Sequence, residues 1–128
     1  MTSANVKIRE IRSDKDLDTI YHITSKAWAP IYDNRKALMD EEIFESMYKD
    51  GPVNKAKNVK KWCSKNKDKT RVAVIGDEVV GFITWEYYNN ETVELCNNAV
   101  SPKMHRKGVG KTMYSWFFEK MKELGYLY

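Results

Sequence analysis

The chain is poor in the residues that build metal or disulfide chemistry. It holds two cysteines, Cys63 and Cys96, and two histidines, His22 and His105. None of them stands at metal-ligand spacing, so no metal cofactor is expected. Nothing in the cysteine pattern requires a disulfide, which fits a reducing cytoplasm. No apolar run approaches the ~18 residues of a membrane-spanning helix, so no membrane partner is expected. The opening M-T-S-A-N-V-K-I-R-E has no apolar core of a secretory signal. The prolines number three and are scattered, and there is no linker, internal repeat or low-complexity tract. A single domain over residues 1–128 is the expectation.

What is present suits a globular domain. Of the 128 residues, 42% are hydrophobic and 31% charged, which is enough apolar material for a real core. The net charge of +4 is modest and suits a polyanionic partner or an anionic cofactor equally.

In chain order, V-K-I-R-E-I at residues 6–11 alternates apolar and charged residues, as a half-buried strand does. Ser13 offers a helix N-cap, with Asp16 three residues on in a capping-box position. The following helix should bury Leu17, Ile20, Tyr21, Thr24, Ala27 and Trp28, and Pro30 should end it or start a turn. A second helix is expected over residues 39–49, with Ile43, Phe44, Met47 and Tyr48 inward and Gly51 after it. A third is expected over 53–65, burying Ala56, Val59, Trp62 and Cys63. Its opposite side is rich in lysine and reads as a solvated face rather than a nucleic-acid surface. Residues 70–75 and 79–88 are β-rich and flank Gly76-Asp77-Glu78, a hairpin pattern. After a turn at Asn89-Asn90, residues 93–100 form a further strand.

The stretch from Val93 to Gly125 organises the rest. An apolar run closed by Ser101-Pro102 leads into the basic turn H-R-K-G-V-G. Apolar residues then recur at Val109, Met113, Trp116, Phe117, Met121 and Leu124, which is helical spacing, and Gly125 stands in a C-cap position. The first turn of a helix leaves backbone N–H groups without intrahelical partners, and the helix dipole adds positive potential there. A phosphate or diphosphate fits such a site. Gly108 and Gly110 let the backbone approach the ligand and adopt unusual dihedrals. Lys103, Arg106, Lys107 and Lys111 surround it with positive charge. Tyr126-Leu127-Tyr128 reads as the opening of another strand.

This arrangement resembles the GNAT N-acetyltransferase superfamily. Its main motif is an apolar strand, a short turn and Q/R-x-x-G-x-G/A opening a helix; here the turn runs His105-Arg106-Lys107-Gly108-Val109-Gly110. The order of strand, helices, β-meander, strand and helix also matches. The resemblance implies an α/β fold with a mixed, mostly antiparallel sheet flanked by helices, and acetyl-coenzyme A as donor. It implies that the backbone of Asn98, Ala99 and Val100 pairs with the pantetheine arm, and that the amides from Arg106 to Lys111 hold the diphosphate. His105 replaces the usual Gln or Arg. The family's C-terminal half is not found in the sequence, which leaves two readings: a truncated product, or a sheet whose open edge is completed by a second copy in a homodimer.

Acetyl transfer to an amine needs the neutral amine, whose pKa is about 10.4 when lysine-like, so a base is useful. Glu94 stands eleven positions before His105. The resemblance implies a general base there, since histone-type members use that spacing; an ordinary solvent-facing strand residue is the alternative. Glu86 could act through water, or be a solvated carboxylate. Cys96 reads as a buried, inert thiol, and His22 as structural. Trp28, Tyr32 and Tyr87 could wall an acceptor pocket, together with Tyr88, or could be core and rim residues. Asn97 and Asn98 are unusual in a strand; they orient a substrate or mark a bulge.

Three rival readings are open. Gly110-Lys111-Thr112 imitates the end of a nucleotide-binding loop, but the first glycine of that motif would fall on His105. The lysines could serve a nucleic-acid binder, though no reading motif accompanies them. A catalytically impaired acetyltransferase fold, binding coenzyme A weakly or serving as an interaction module, is the third. The expected acceptor is a small-molecule or protein amine.

Overall fold

A computed structural model describes residues 5–42 and 51–126. Strand β1 spans Val6–Arg9, followed by helix α1 at Asp14–Leu38 and helix α2 at Gly51–Lys65. The meander β2 (Thr70–Ile75), β3 (Glu78–Tyr87) and β4 (Val93–Val100) comes next, and helix α3 covers Val109–Leu124. The sheet order is β1-β2-β3-β4, and every pairing among the described residues is antiparallel. The expected α/β fold, with helices flanking the sheet, forms. The inward positions proposed at 43–48, and the strand proposed to open at 126–128 beyond Tyr126, lie outside the described residues.

Two apolar layers sandwich the sheet. On one face Leu17, Ile20 and Ile23 of α1 and Val59 and Cys63 of α2 pack on Val72, Val74, Val79 and Phe82. On the other, Val109, Met113, Phe117 and Met121 of α3 pack on Ala73, Val80, Ile83, Trp85 and Val93. The helical periodicity of α3 therefore falls where expected, except that Leu124 is exposed at its end. Gly125 adopts φ 83 and closes the helix, its amide donating to Lys122 and that of Tyr126 to Met121.

Helix α1 departs from expectation. It runs through Pro30 to Leu38, although proline deletes an intrahelical bond and commonly ends a helix. The helix is anchored earlier by Leu17, Ile20, Ile23 and Thr24, and beyond the proline it stays close to α2. There the Tyr32 ring lies 3.8 Å from where a Cβ on Gly51 would sit. The capping box is also different. Ser13 makes no side-chain cap bond, whereas Asp16 accepts from the Arg12 amide at 2.9 Å and from Arg9 at 2.8 and 3.1 Å. The bond from the Arg9 guanidinium holds this carboxyl below its ordinary pKa.

Two local features set how α3 and β4 sit on the sheet. Gly81 lies under α3, where an added Cβ would be 3.1 Å from the Ala99 carbonyl oxygen and 3.2 Å from Met113 Sδ. Only a residue without Cβ lets α3 approach β3 and β4 this closely. The second feature is a bulge. Ile83 pairs with Asn98 and Trp85 with Leu95, so two steps along β3 face three along β4. The extra residue falls at Cys96–Asn97, and the buried Thr84 hydroxyl donates to the Asn97 carbonyl at 2.6 Å.

Candidate functional site

The turn after β4 is built from unusual backbone. A short 3-10 turn at Pro102–Met104 follows Ser101. Arg106 then takes φ 67 and Gly108 φ 81, both left-handed. For arginine that conformation costs roughly 1–2 kcal/mol, a strain held by the bonds on either side. His105 donates its amide to Pro102 at 3.2 Å, and Lys107 to Met104 at 3.2 Å. The Lys107 amide is thus already engaged, which removes it from the expected diphosphate donors. The first closing bond of α3 runs from the Thr112 amide to Gly108 at 3.0 Å. The amides of Val109, Gly110 and Lys111 therefore precede the intrahelical ladder.

These amides border a surface cavity of about 310 Å³, lined by Val100, Met104, His105, Arg106, Gly108, Val109, Gly110 and Lys111. The His105 ring turns back toward β4, with Nε2 3.3 Å from the Val100 carbonyl. Arg106, Lys107 and Lys111 are exposed around the rim. Lys103 is instead paired with Glu78. Among the described residues β4 pairs only with β3, so the backbone from Asn98 to Val100 has an open outer edge leading to this cavity. The Asn98 side chain accepts from the Tyr114 hydroxyl at 2.8 Å, on the α3 side. A larger groove, about 800 Å³, lies between the start of α1 and the β2–β3 turn. Its Arg9 and Asp16 are bonded to each other.

The other face of β4 carries the side-chain chemistry. Glu86 and Glu94 are cross-strand partners and share a face. Glu86 receives Lys69 at 2.5 Å, and that bond holds its carboxyl below the ordinary range. It is therefore committed to an ion pair. Glu94 is exposed. Cys96 corrects the sequence reading: it is exposed, not buried. Desolvation and then the neighbouring Glu94 and Glu86 raise its thiol pKa, which keeps the nucleophilic thiolate scarce. The buried thiol is Cys63, pushed up to about 11 by burial.

Of the acceptor-wall residues, Trp28 and Asn97 are brought together. The Lys55 ammonium lies 5.1 Å from the Trp28 ring centroid and donates to Asn97 Oδ1 at 2.9 Å. Tyr32, one helical turn past Trp28 on α1, lies beside Gly51, one turn before Lys55 on α2. Tyr87 does not join them. Its cross-strand partner Val93 faces α3, and its ring packs on Tyr126 at 4.8 Å, so it belongs to the opposite side of the sheet. Sequence reasoning missed Lys55, Gly81 and Thr84. A glycine inside V-V-G-F-I-T was a readable sign of close approach at Gly81; the other two carry no local signature. Among the described residues no helix is long and apolar enough to cross a membrane, and no cluster of three or more His, Cys, Asp or Glu side chains could hold a metal.

Comparison with known proteins agrees with this geometry. The family model described as the acetyltransferase (GNAT) family matches residues 20–128. Ard1 from Thermoplasma volcanium is similar in structure, at 20% identity and TM-score 0.64, over 95% of this chain and 67% of that one. The PaiA N-acetyltransferase from Thermoplasma acidophilum in complex with coenzyme A is similar at 24% identity and TM-score 0.64, over 94% and 74%. A GNAT family acetyltransferase from Elizabethkingia anophelis with acetyl-CoA bound aligns at 17% identity and TM-score 0.57, over 95% and 61%. At these identities the structural likeness speaks for the fold alone. No curated protein matches by sequence.

Proposed function

The chain belongs to the acetyltransferase (GNAT) family, and on that premise we propose that it moves an acetyl group from acetyl-coenzyme A to a primary amine by direct attack. The observation that carries this reading is the turn at the start of α3. A left-handed Gly108 opens α3 beside a cavity at the end of β4, and the amides that follow it lie ahead of the intrahelical ladder. The amides of Val109, Gly110 and Lys111 suit the diphosphate, with Arg106, Lys107, Lys111 and His105 around it. The outer edge of Asn98, Ala99 and Val100 suits the pantetheine arm as an added strand. When bound, the donor supplies an activated thioester; the chain supplies position, a base and backbone donors that polarise the carbonyl.

Glu94 is the base in this reading. It is exposed on the acceptor side of β4 and, unlike Glu86, is not tied to a lysine among the described residues. It takes the proton of the attacking amine as the N–C bond forms and the C–S bond breaks, and the thiolate departs. Calorimetry with acetyl-coenzyme A, followed by an amine-panel assay, tests the whole reading. Glu94→Gln should lower kcat by roughly 10²- to 10⁴-fold while leaving coenzyme A affinity unchanged. Equal loss of turnover and cofactor affinity would argue against a base role.

A further inference from the structure

Lys55 is the cation on the acceptor face whose partners do not match it. The ammonium groups of Lys60, Lys69 and Lys103 each meet a carboxylate, of Asp18, Glu86 and Glu78. Lys55 is half-buried between α1, α2 and the β4 bulge, and among the described residues its partners are a neutral amide and an indole. A partly desolvated ammonium gains more from a carboxylate than from an amide oxygen or a ring face. The Asn97 Oδ1 that now receives it is exchangeable for a better acceptor.

The position of this cation narrows what that acceptor is. Glu94 precedes Asn97 by three residues on β4, and the bulge leaves both on the side of the sheet facing α1 and α2. At about 3.3 Å per strand residue the two anchors are roughly 10 Å apart. Lys55 is held at Asn97, so an acceptor that meets both Lys55 and Glu94 is a short molecule. The Glu86–Lys69 pair lies alongside, on the neighbouring strand opposite Glu94. One unspent ammonium matches a monoanion; a phosphate dianion would call on a second cation, and Lys69 is already engaged.

Resting on the acetyl-transfer reading, we propose that the acceptor is an amino acid, an amine with a carboxylate beside it, and that Lys55 binds the carboxylate while Glu94 serves the amine. The donor site plays no part in this choice, which is made by one lysine on α2.

The test uses the proteinogenic amino acids, each against its decarboxylated amine, such as leucine against isoamylamine and phenylalanine against phenethylamine. Binding to the coenzyme A-loaded protein is read by calorimetry, and turnover is measured separately. The best-bound amino acid should exceed its amine by at least roughly tenfold in affinity, as for a charge-assisted bond. Lys55→Gln should erase that ratio without changing coenzyme A affinity, and Lys55→Arg should restore part of it. Equal binding of acids and amines, or a ratio unchanged in K55Q, overturns the assignment whatever turnover shows. Preferential binding lost in K55Q with no turnover of any member would uphold the carboxylate site and sink the transfer reading instead.

Discussion

The two ends of β4 are built by different means. The site proposed past its C-terminal end is made of backbone: left-handed Arg106 and Gly108, and amides ahead of the first helical bond of α3. The site proposed along its inner face is made of side chains: Glu94 on β4 itself and Lys55, reaching in from α2. A backbone site depends on which positions lack a Cβ, whereas a side-chain site depends on register. The first should be fragile to an added carbon and tolerant of charge changes. The second should behave in the opposite way.

The largest expected effect comes from putting a Cβ where the backbone is left-handed. Gly108→Val places a β-branched residue at φ 81. Such strain costs up to ~3 kcal/mol, so coenzyme A affinity should fall by roughly 10²-fold in calorimetry as the turn rearranges. Unchanged affinity would mean that the amides ahead of α3 are not the diphosphate site. Lys107→Gln makes a useful contrast. Its amide is engaged by Met104 and its side chain is exposed, so its loss should matter far less.

This contrast also explains what the sequence disclosed. Strands β2 and β4, the Gly-containing turn and the buried stripe of α3 were legible, because each rests on local periodicity or on a glycine. The exposure of Cys96 and the face of Asn97 were not. Alternation is a property of one strand, but the bulge belongs to a pair, and its holding bond comes from Thr84 on β3. One extra residue leaves Asn97 on the same side as Cys96, where Lys55 of α2 meets it. The side taken by Tyr87 was hidden for a related reason: it is set by register with Val93, not by its aromatic character. Pro30 failed as a stop signal: α1 continues to Leu38, with the Tyr32 ring against Gly51 of α2. Lys55 gave no sign in a helix full of lysines, since its partners come from α1 and β4.

Gly81→Ala tests whether the backbone site also depends on its supports. An added Cβ would press on the Ala99 carbonyl, which is backbone and cannot swing aside, and on Met113 and Val109. The strain should cost about 1–3 kcal/mol in urea denaturation. Because Val109 opens α3, coenzyme A affinity should weaken as well. A loss of stability with no change in affinity would mean that α3 shifts as a body without disturbing its first amides.

The smallest effect is expected two residues after Gly108, and it separates two reasons for a glycine. Gly110 lies within the first turn of α3, and an added Cβ would rest 3.8 Å from Val100 Cγ2, an ordinary contact. Its backbone is not left-handed. Neither strain nor crowding within the protein therefore requires glycine there, and the family motif admits alanine at this place. Gly110→Ala should leave coenzyme A affinity within about twofold, equivalent to the ~0.5 kcal/mol of a neutral surface change. Stability should stay level or rise by up to ~1 kcal/mol, the helix preference of alanine over glycine. A large loss of affinity with intact stability would be informative in its own way. The protein itself has room for the methyl group, so only a ligand lying against Gly110 could reject it, and the diphosphate would then sit closer to the helix axis than the Gly108 bend alone implies.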